Sequence, residues 1–158
     1  MRVKGITDED FVNYKVPSML ISTSTCSFKC EKESGVECCQ NSSLMKQKSI
    51  DIDDAIIIER YISNPITKAI VFGGLEPLDQ YNEVLTFISL LRHEYNCKDD
   101  VVIYTGYKIY EVWDKIYCLS KLKNIVVKYG RYIPGQKPHL DKVLGVNLAS
   151  DNQYAERI

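Results

Sequence analysis

Short apolar runs alternate with amphipathic stretches along this chain of 158 residues. Four apolar runs are too short for buried helices and predict strands, at 18–23, 69–72, 101–104 and 124–128. Between them, apolar residues recur at helical spacing, which predicts helices at 49–64, 80–95 and 110–120. Ser49 and Asp51 are the expected caps of the first helix. The expected inner face of the third helix consists of Val112, Trp113, Ile116 and Leu119.

Strands that alternate with helices predict βαβ units and a parallel sheet. The carboxyl ends of parallel strands meet at one edge, where open α/β sheets and barrels bind their ligands. Four or five such units cannot close an eight-stranded barrel, so we expect an α/β fold with a half-barrel sheet. A weak fifth strand is expected at 143–148 after a loop-rich stretch. No linker or repeat interrupts the pattern, which predicts a single domain over 1–158.

Composition limits the function classes only modestly. The net charge of -1 offers no electrostatic reason to expect nucleic acid or an anionic membrane as partner. No apolar stretch approaches the ~18 residues of a membrane span, and the polar start of the chain lacks the apolar core of a signal peptide. We therefore expect a cytoplasmic protein, and clustered cysteines in that compartment indicate metal ligands or redox centres before disulfides.

The strongest chemical signal is a cluster of cysteines after the first predicted strand. Cys26, Cys30, Cys38 and Cys39 fall within fourteen residues. Three thiolates can hold an iron–sulfur cluster with one iron open, and either Cys38 or Cys39 can supply the third. Structural zinc is the weaker hypothesis, because it prefers four closed ligands in C-x2–4-C pairs. Cys118 is expected in a helix core rather than at a metal.

A second unusual run, Gly73-Gly74-Leu75-Glu76-Pro77, follows the second predicted strand. Paired glycines let the backbone turn sharply and approach a ligand closely. Glu76 is expected either to pair with a ligand ammonium or to hold the loop. The alternative is a plain strand-to-helix turn, with Glu76 near the helix start.

Further candidates follow the later strands. Tyr104 and Thr105 are predicted either to contact a ligand or to pack at the strand end. Lys128 and Arg131 can face a ligand carboxylate or a partner surface, and a solvated position is expected for Lys128.

Together, the cysteine loop and the Gly-Gly-x-Glu-Pro run resemble the radical S-adenosylmethionine (SAM) superfamily. The run Tyr104-Thr105-Gly106-Tyr107 and the ending Ser150-Asp151-Asn152-Gln153 resemble the activating proteins of anaerobic ribonucleoside-triphosphate reductase. The resemblance extends from about residue 18 to the last residue. The superfamily's usual C-x3-C-x2-C spacing is not kept, because position 33 is Glu33, and Leu75 is an insertion in the Gly-Gly-Glu-Pro motif. The ending Cys39-Gln40-Asn41 matches a short activase-like subgroup with an extended loop.

This resemblance implies a radical SAM half-barrel that carries a 4Fe-4S cluster on Cys26, Cys30 and Cys39. It implies SAM as the second cofactor, bound by Gly73, Gly74, Glu76, Tyr104 and Thr105. The implied enzyme is a radical SAM oxidoreductase whose 5′-deoxyadenosyl radical takes a hydrogen from a glycine of anaerobic ribonucleotide reductase. A flavodoxin-like protein would supply the electron, and no acid or base beyond the cluster ligands is needed.

Two other functions fit the same residues. A radical SAM enzyme that acts on another peptide or protein would share the motifs, because a fold does not determine a substrate. A non-enzymatic iron–sulfur or zinc-binding module would use the cysteines without binding SAM.

Overall fold

A seven-stranded mixed sheet forms the centre of the protein, in a computed structural model that describes residues 1–158. Its strands, in chain order, are β1 (Arg2–Asp10), β2 (Ser18–Thr23), β3 (Ile50–Asp51), β4 (Ala69–Gly74), β5 (Asp100–Tyr104), β6 (Ile125–Tyr129) and β9 (Tyr154–Arg157). Their order across the sheet is β3-β1-β2-β4-β5-β6-β9. Two more strands, β7 (His139–Asp141) and β8 (Val146–Leu148), pair as a separate hairpin.

Five α-helices connect or flank these strands. They are α1 (Lys29–Ser34), α2 (Ser42–Met45), α3 (Asp54–Ser63), α4 (Tyr81–His93) and α5 (Trp113–Leu119). Short 3-10 turns precede α4 at Pro77–Gln80, precede α5 at Ile109–Glu111 and follow it at Ser120–Leu122. None of the helices combines the length and the apolar character that crossing a bilayer requires.

The centre of the sheet is parallel, as the sequence predicts. Strands β2, β4, β5 and β6 pair in parallel, with Thr23 opposite Gly74 and Tyr104 opposite Lys128. The outer pairs, β3 with β1, β1 with β2 and β6 with β9, are antiparallel. All four central strands therefore end at the same edge, and the loops that follow them meet there.

The two faces of the sheet are covered differently. Helices α3, α4 and α5 pack on one face, around a core that includes Phe72 and Phe87. The other face packs against Tyr14, Leu144 and Leu148, which come from the loop after β1 and from the segment around β7 and β8. Burial on both faces explains why the central strands are continuously apolar. Helices on one face alone fit a barrel wall better than a doubly wound sheet, and the half-barrel curvature itself stays a prediction.

Several predicted details are wrong at the level of single elements. The first long helix starts at Asp54, because Ile50–Asp51 pairs with β1 and the carboxylate of Asp53 accepts from the Ala55 amide at 2.9 Å. Ser49 and Asp51 are therefore not its caps. Its buried face is formed by Ile57, Ile58 and Tyr61.

The third helix is also shorter than predicted, since only Trp113–Leu119 is α-helical. Val112, Ile116 and Leu119 are buried as expected, but the Trp113 side chain is 58% exposed. The predicted weak strand at 143–148 is reduced to Val146–Leu148 and belongs to the hairpin, outside the main sheet. Strands β1, β3 and β9, which lie at or next to the sheet edges, have no counterpart in the sequence prediction.

The Phe72–Phe87 pair gives a direct test of the helical core. Both rings are fully buried and meet edge to face, with centroids 5.3 Å apart. Replacing Phe87 by alanine should lower the free energy of unfolding by about 3–5 kcal/mol, because it removes a buried ring and leaves a cavity. Urea unfolding of the metal-free protein measures this, and the exposed Thr86→Ala change on the same helix is the matched control. A loss below about 1 kcal/mol would show that the core collapses around the gap.

Candidate functional site

A cavity of about 470 Å³ lies over the carboxyl ends of the parallel strands, on the face opposite the long helices. Its walls include every residue that the sequence singles out as a candidate ligand of a cluster or cofactor: Cys26, Cys30, Cys39, Gly73, Gly74, Glu76, Tyr104 and Thr105. Cys38, Lys128 and Arg131 line it as well. The opposite wall consists of Val12 and Asn13 after β1 and of the segment 146–149 around β8.

Helix α1 organises three of the four thiols. Cys30 lies on this helix, and the Glu31 carboxylate accepts from the Cys39 backbone amide at 3.2 Å. The Ser34 hydroxyl lies 3.3 Å from the Cys38 sulfur. Gly35 ends the helix in the left-handed region at φ 70°, and its amide donates to the Glu31 carbonyl, so the chain turns back toward Cys30.

Two polar side chains of the Pro77–Gln80 turn hold the start of the cysteine loop. The Asp79 carboxylate accepts from the Ser27 amide at 2.6 Å, and the Tyr107 hydroxyl donates to the same carboxylate. The Gln80 carboxamide oxygen accepts from the Ser24 amide and hydroxyl at 2.9 and 2.8 Å. Residues on both sides of Cys26 are thereby fastened to the turn that follows β4.

Glu76 fastens the same turn to the end of β5. Its buried carboxylate accepts from the Thr105 hydroxyl at 2.7 Å, the Gly106 amide at 2.8 Å and the Leu78 amide at 3.0 Å. Glu76 is expected from the sequence either to pair with a ligand ammonium or to hold the loop, and these three bonds show that it holds the loop. Burial raises the pKa of Glu76 to about 7, and these hydrogen bonds only partly oppose the rise.

Lys128 is buried. The sequence prediction of a solvated position for this side chain is therefore wrong. Its ammonium donates to the Gly130 carbonyl at 2.8 Å, and burial lowers the pKa of Lys128 to about 8. The nearby Glu76 charge opposes that shift. An ammonium has three donors, and the Gly130 carbonyl takes only one of them, so a cation in the cavity wall keeps donors for an anionic group.

The hydroxyls of Tyr104 and Thr105 already have acceptors within the protein. Tyr104 donates to the Asn13 carbonyl, which ties β5 to the loop after β1. Thr105 donates to Glu76 and accepts from the Tyr107 amide at 3.0 Å. Both residues line the cavity, so a ligand would meet the faces of these side chains and their remaining lone pairs.

Gly74 meets a requirement that only glycine satisfies without strain. Its φ is 78°, and an added Cβ would lie 2.9 Å from Leu44 and Ser22 side-chain carbons. Gly73, in contrast, has room for a Cβ, and its carbonyl accepts from the buried Thr23 hydroxyl. The need for glycine at the cavity wall is therefore located at Gly74.

An ion-pair network joins α1 to the end of β6. Arg131 is 5% exposed and makes two hydrogen bonds to the Glu111 carboxylate, at 2.7 and 2.8 Å. Glu33 of α1 lies 3.4 Å from the same guanidinium, and Lys29 reaches Glu111 at 3.3 Å. The Arg131 guanidinium holds the pKa of Glu111 at about 2, well below its usual range. Arg131 thus already has carboxylate partners within the chain.

Asn152 and Gln153, near the C-terminus, support the segment that follows β6. The Gln153 carboxamide accepts from the Ala149 and Ser150 amides and donates to the Gly130 carbonyl. The Asn152 side chain donates to the Arg131 carbonyl at 2.9 Å. Both residues position the chain after β6 at the cavity wall.

Comparison with known protein families identifies the chemistry of the thiol cluster. A family model described as a 4Fe-4S single cluster domain matches residues 18–149. The chain belongs to this family. The match includes the four thiols of the cavity and the Gly-Gly turn. No curated protein and no solved structure matches the chain.

The thiols suit the cluster that defines the 4Fe-4S single cluster domain family. No three cysteine, histidine or carboxylate side chains are arranged to hold one metal ion. A 4Fe-4S cluster takes its thiolates on separate irons, so its ligands need to surround a larger volume, and these four thiols line one cavity. Burial raises the pKa of Cys26 to about 12 and that of Cys30 to about 11, so binding iron requires that these thiols lose protons.

The remaining cysteines lie elsewhere. Cys118 is exposed, which contradicts its expected place in a helix core. Cys97 is half-buried against the helical core. Asp79, Gln80 and Glu111 are residues of the site that the sequence prediction does not include. Their only signal was a polar residue in the first turn of a helix, which usually marks a helix start and nothing more.

The raised pKa of Glu76 predicts a pH dependence of stability. From its ordinary pKa of 4.5 up to about 7, the native protein holds a proton that the unfolded chain has lost. Stability attributable to Glu76 therefore falls as pH rises through that window, by on the order of 3 kcal/mol. Glu76→Gln should remove this slope, because it removes the carboxyl group whose pKa is raised by burial.

Urea unfolding of the metal-free protein across that pH window measures the slope. The exposed Asp114→Asn change removes a carboxylate that has no role in the cavity and should leave the slope as it is. Parallel pH curves for the parent protein and Glu76→Gln would contradict the prediction.

A second prediction concerns the fit at Gly74. Gly74→Ala adds steric conflict with Ser22 and Leu44 to the strain of a positive φ, so it should cost about 2–4 kcal/mol of unfolding free energy. Gly135 has a similar φ of 83° with nothing near its Cβ position. Gly135→Ala should therefore cost only about 1 kcal/mol. Equal losses of unfolding free energy in the two variants would show that steric contact with Ser22 and Leu44 adds nothing to the strain of the positive φ.

Proposed function

We propose that this protein is a radical SAM activase that installs a glycyl radical on an anaerobic ribonucleotide reductase. One observation carries the proposal: the thiols of a 4Fe-4S family member and the Gly73–Gly74 turn line the same cavity. The resemblance to reductase-activating proteins adds the identity of the substrate. Glycine in a partner protein loop would be the hydrogen donor, and a flavodoxin-like protein would be the electron donor.

Cys26, Cys30 and Cys39 would hold the cluster. Cys39 is favoured over Cys38 because its backbone is anchored on both sides, to Glu31 through the amide and to Ser42 through the carbonyl. Bound together, the reduced cluster and SAM would supply the radical chemistry that abstracts hydrogen.

The polypeptide's own contribution is binding and orientation. Gly74 provides the positive φ and the close packing against Ser22 and Leu44 that shape the cavity wall. The Lys128 ammonium would attract the SAM carboxylate with its spare donors. Glu76, as acceptor of three hydrogen bonds, would keep the two strand ends at fixed separation while SAM is bound.

SAM cleavage by the reconstituted protein is the decisive test. Anaerobic reconstitution followed by reduction should give a protein that converts SAM to 5′-deoxyadenosine and methionine. Changing both Cys38 and Cys39 to alanine should lose most of the iron and this activity, because only two thiols then remain in the cavity. Cys118→Ala, which changes an exposed cysteine outside the cavity, is the matched control and should retain both. Iron, sulfide and product analysis measures the result.

Adding an anaerobic ribonucleotide reductase should then produce a glycyl radical detectable by electron paramagnetic resonance. SAM cleavage without a radical on a cognate reductase would favour a radical SAM enzyme for another peptide or protein. An intact cluster that binds no SAM would leave a non-enzymatic cluster-binding module.

A further inference from the structure

Cys38 is a fourth thiol in a cavity where the proposed function uses three. It lines the cavity with Cys26, Cys30 and Cys39. Its sulfur lies 3.3 Å from the Ser34 hydroxyl, on the same helix as Cys30. The side chain is half-buried, whereas Cys118 is exposed. Cys38 therefore shares the cavity with the three proposed ligands and contacts the helix that carries Cys30.

The two adjacent cysteines are anchored differently. Cys39 is held through its backbone, since its amide donates to Glu31 and its carbonyl accepts from the Ser42 amide at 3.4 Å. Cys38 makes no backbone hydrogen bond, and its one hydrogen-bond contact is between its sulfur and Ser34. Cys39 therefore has a fixed position, whereas Cys38 can move its sulfur by breaking one weak contact.

Adjacent cysteines compete for a single ion but not for a cluster. A 4Fe-4S cluster presents four irons, each with its own terminal ligand position. Three thiolates leave one of these positions open. A mobile fourth thiol in the same cavity is positioned to reach it.

We infer that Cys38 is a reversible fourth ligand, which closes the open iron when the cavity holds no SAM and withdraws when SAM enters. Closure forms one iron–sulfur bond, displaces a solvent ligand and releases the thiol proton to water. Opening reverses these changes, with no net oxidation or reduction. That Cys38 binds the open iron rests only on the 4Fe-4S cluster that defines the family. That it withdraws when SAM enters rests on the proposed SAM-dependent function.

Closure would protect the cluster from oxidative loss of iron. An iron with a solvent ligand dissociates readily on mild oxidation and leaves a 3Fe-4S form, whereas a fourth thiolate retains it. The arrangement would keep the resting protein intact and expose the reactive position only to its cofactor.

Alkylation mapping of the anaerobic, cluster-loaded protein tests both halves. Iodoacetamide followed by mass spectrometry should label Cys118 under all conditions, because it is exposed. Cys38 should be protected without SAM and labelled at least severalfold more when SAM is added. Labelling of Cys38 without SAM, at the level seen with it, would overturn the inference.

Mild oxidation without SAM gives an independent measurement. Cys38→Ala should form severalfold more of the paramagnetic 3Fe-4S species than the parent protein and lose about one iron in four. Cys118→Ala should behave like the parent. Equal yields in all three proteins would overturn closure, and so would complete loss of iron from Cys38→Ala, since Cys38 would then be a permanent ligand.

Equilibrium binding of SAM separates this inference from the proposed function. Protection of Cys38 in a protein that binds no SAM would support closure while overturning withdrawal and the activase proposal together. SAM binding with Cys38 still protected would overturn withdrawal alone and leave the activase proposal standing.

Discussion

The site depends on the polar turn that follows β4. Glu76, Asp79 and Gln80 each reach a different segment: the end of β5, the residue after Cys26 and the residue two positions before it. Parallel strands bring their ends to one edge, where single backbone hydrogen bonds, such as the one from the Glu76 amide to the Thr25 carbonyl, connect their loops. Buried side-chain hydrogen bonds add to these, and they are effective because the groups lie away from competing water.

This arrangement explains why the turn carries a buried acid at all. A carboxylate accepts several hydrogen bonds at once, whereas a neutral side chain of similar size has donors of its own that conflict with the surrounding amides. The cost is the desolvation that raises the pKa of Glu76. Lys128, buried in the same cavity wall, supplies an opposite charge that favours the ionised forms of both groups.

The cysteine loop shows a second level of organisation. Its six-residue helix α1 has no buried residue and therefore little packing energy of its own. The Glu31 carboxylate accepts from the Cys39 amide, the Ser34 hydroxyl contacts the Cys38 sulfur, and Arg131 ties Glu33 to the end of β6. Such a loop gains much of its stability from the cluster it binds, as small metal sites generally do.

The apolar runs by themselves determined the parallel centre of the sheet, the three long helices in outline and the edge where the site lies. Those features follow from burial, which the order of apolar and polar residues records directly. Only the tertiary structure placed β1, β3 and β9, since strands at or next to the edge of a sheet are defined by backbone pairing and most of their side chains stay exposed or half exposed. It also decided the burial of Lys128, the exposure of Trp113 and the backbone hydrogen bonds that Cys39 has and Cys38 lacks. Each of these depends on neighbours that are distant along the chain or on the path of a loop.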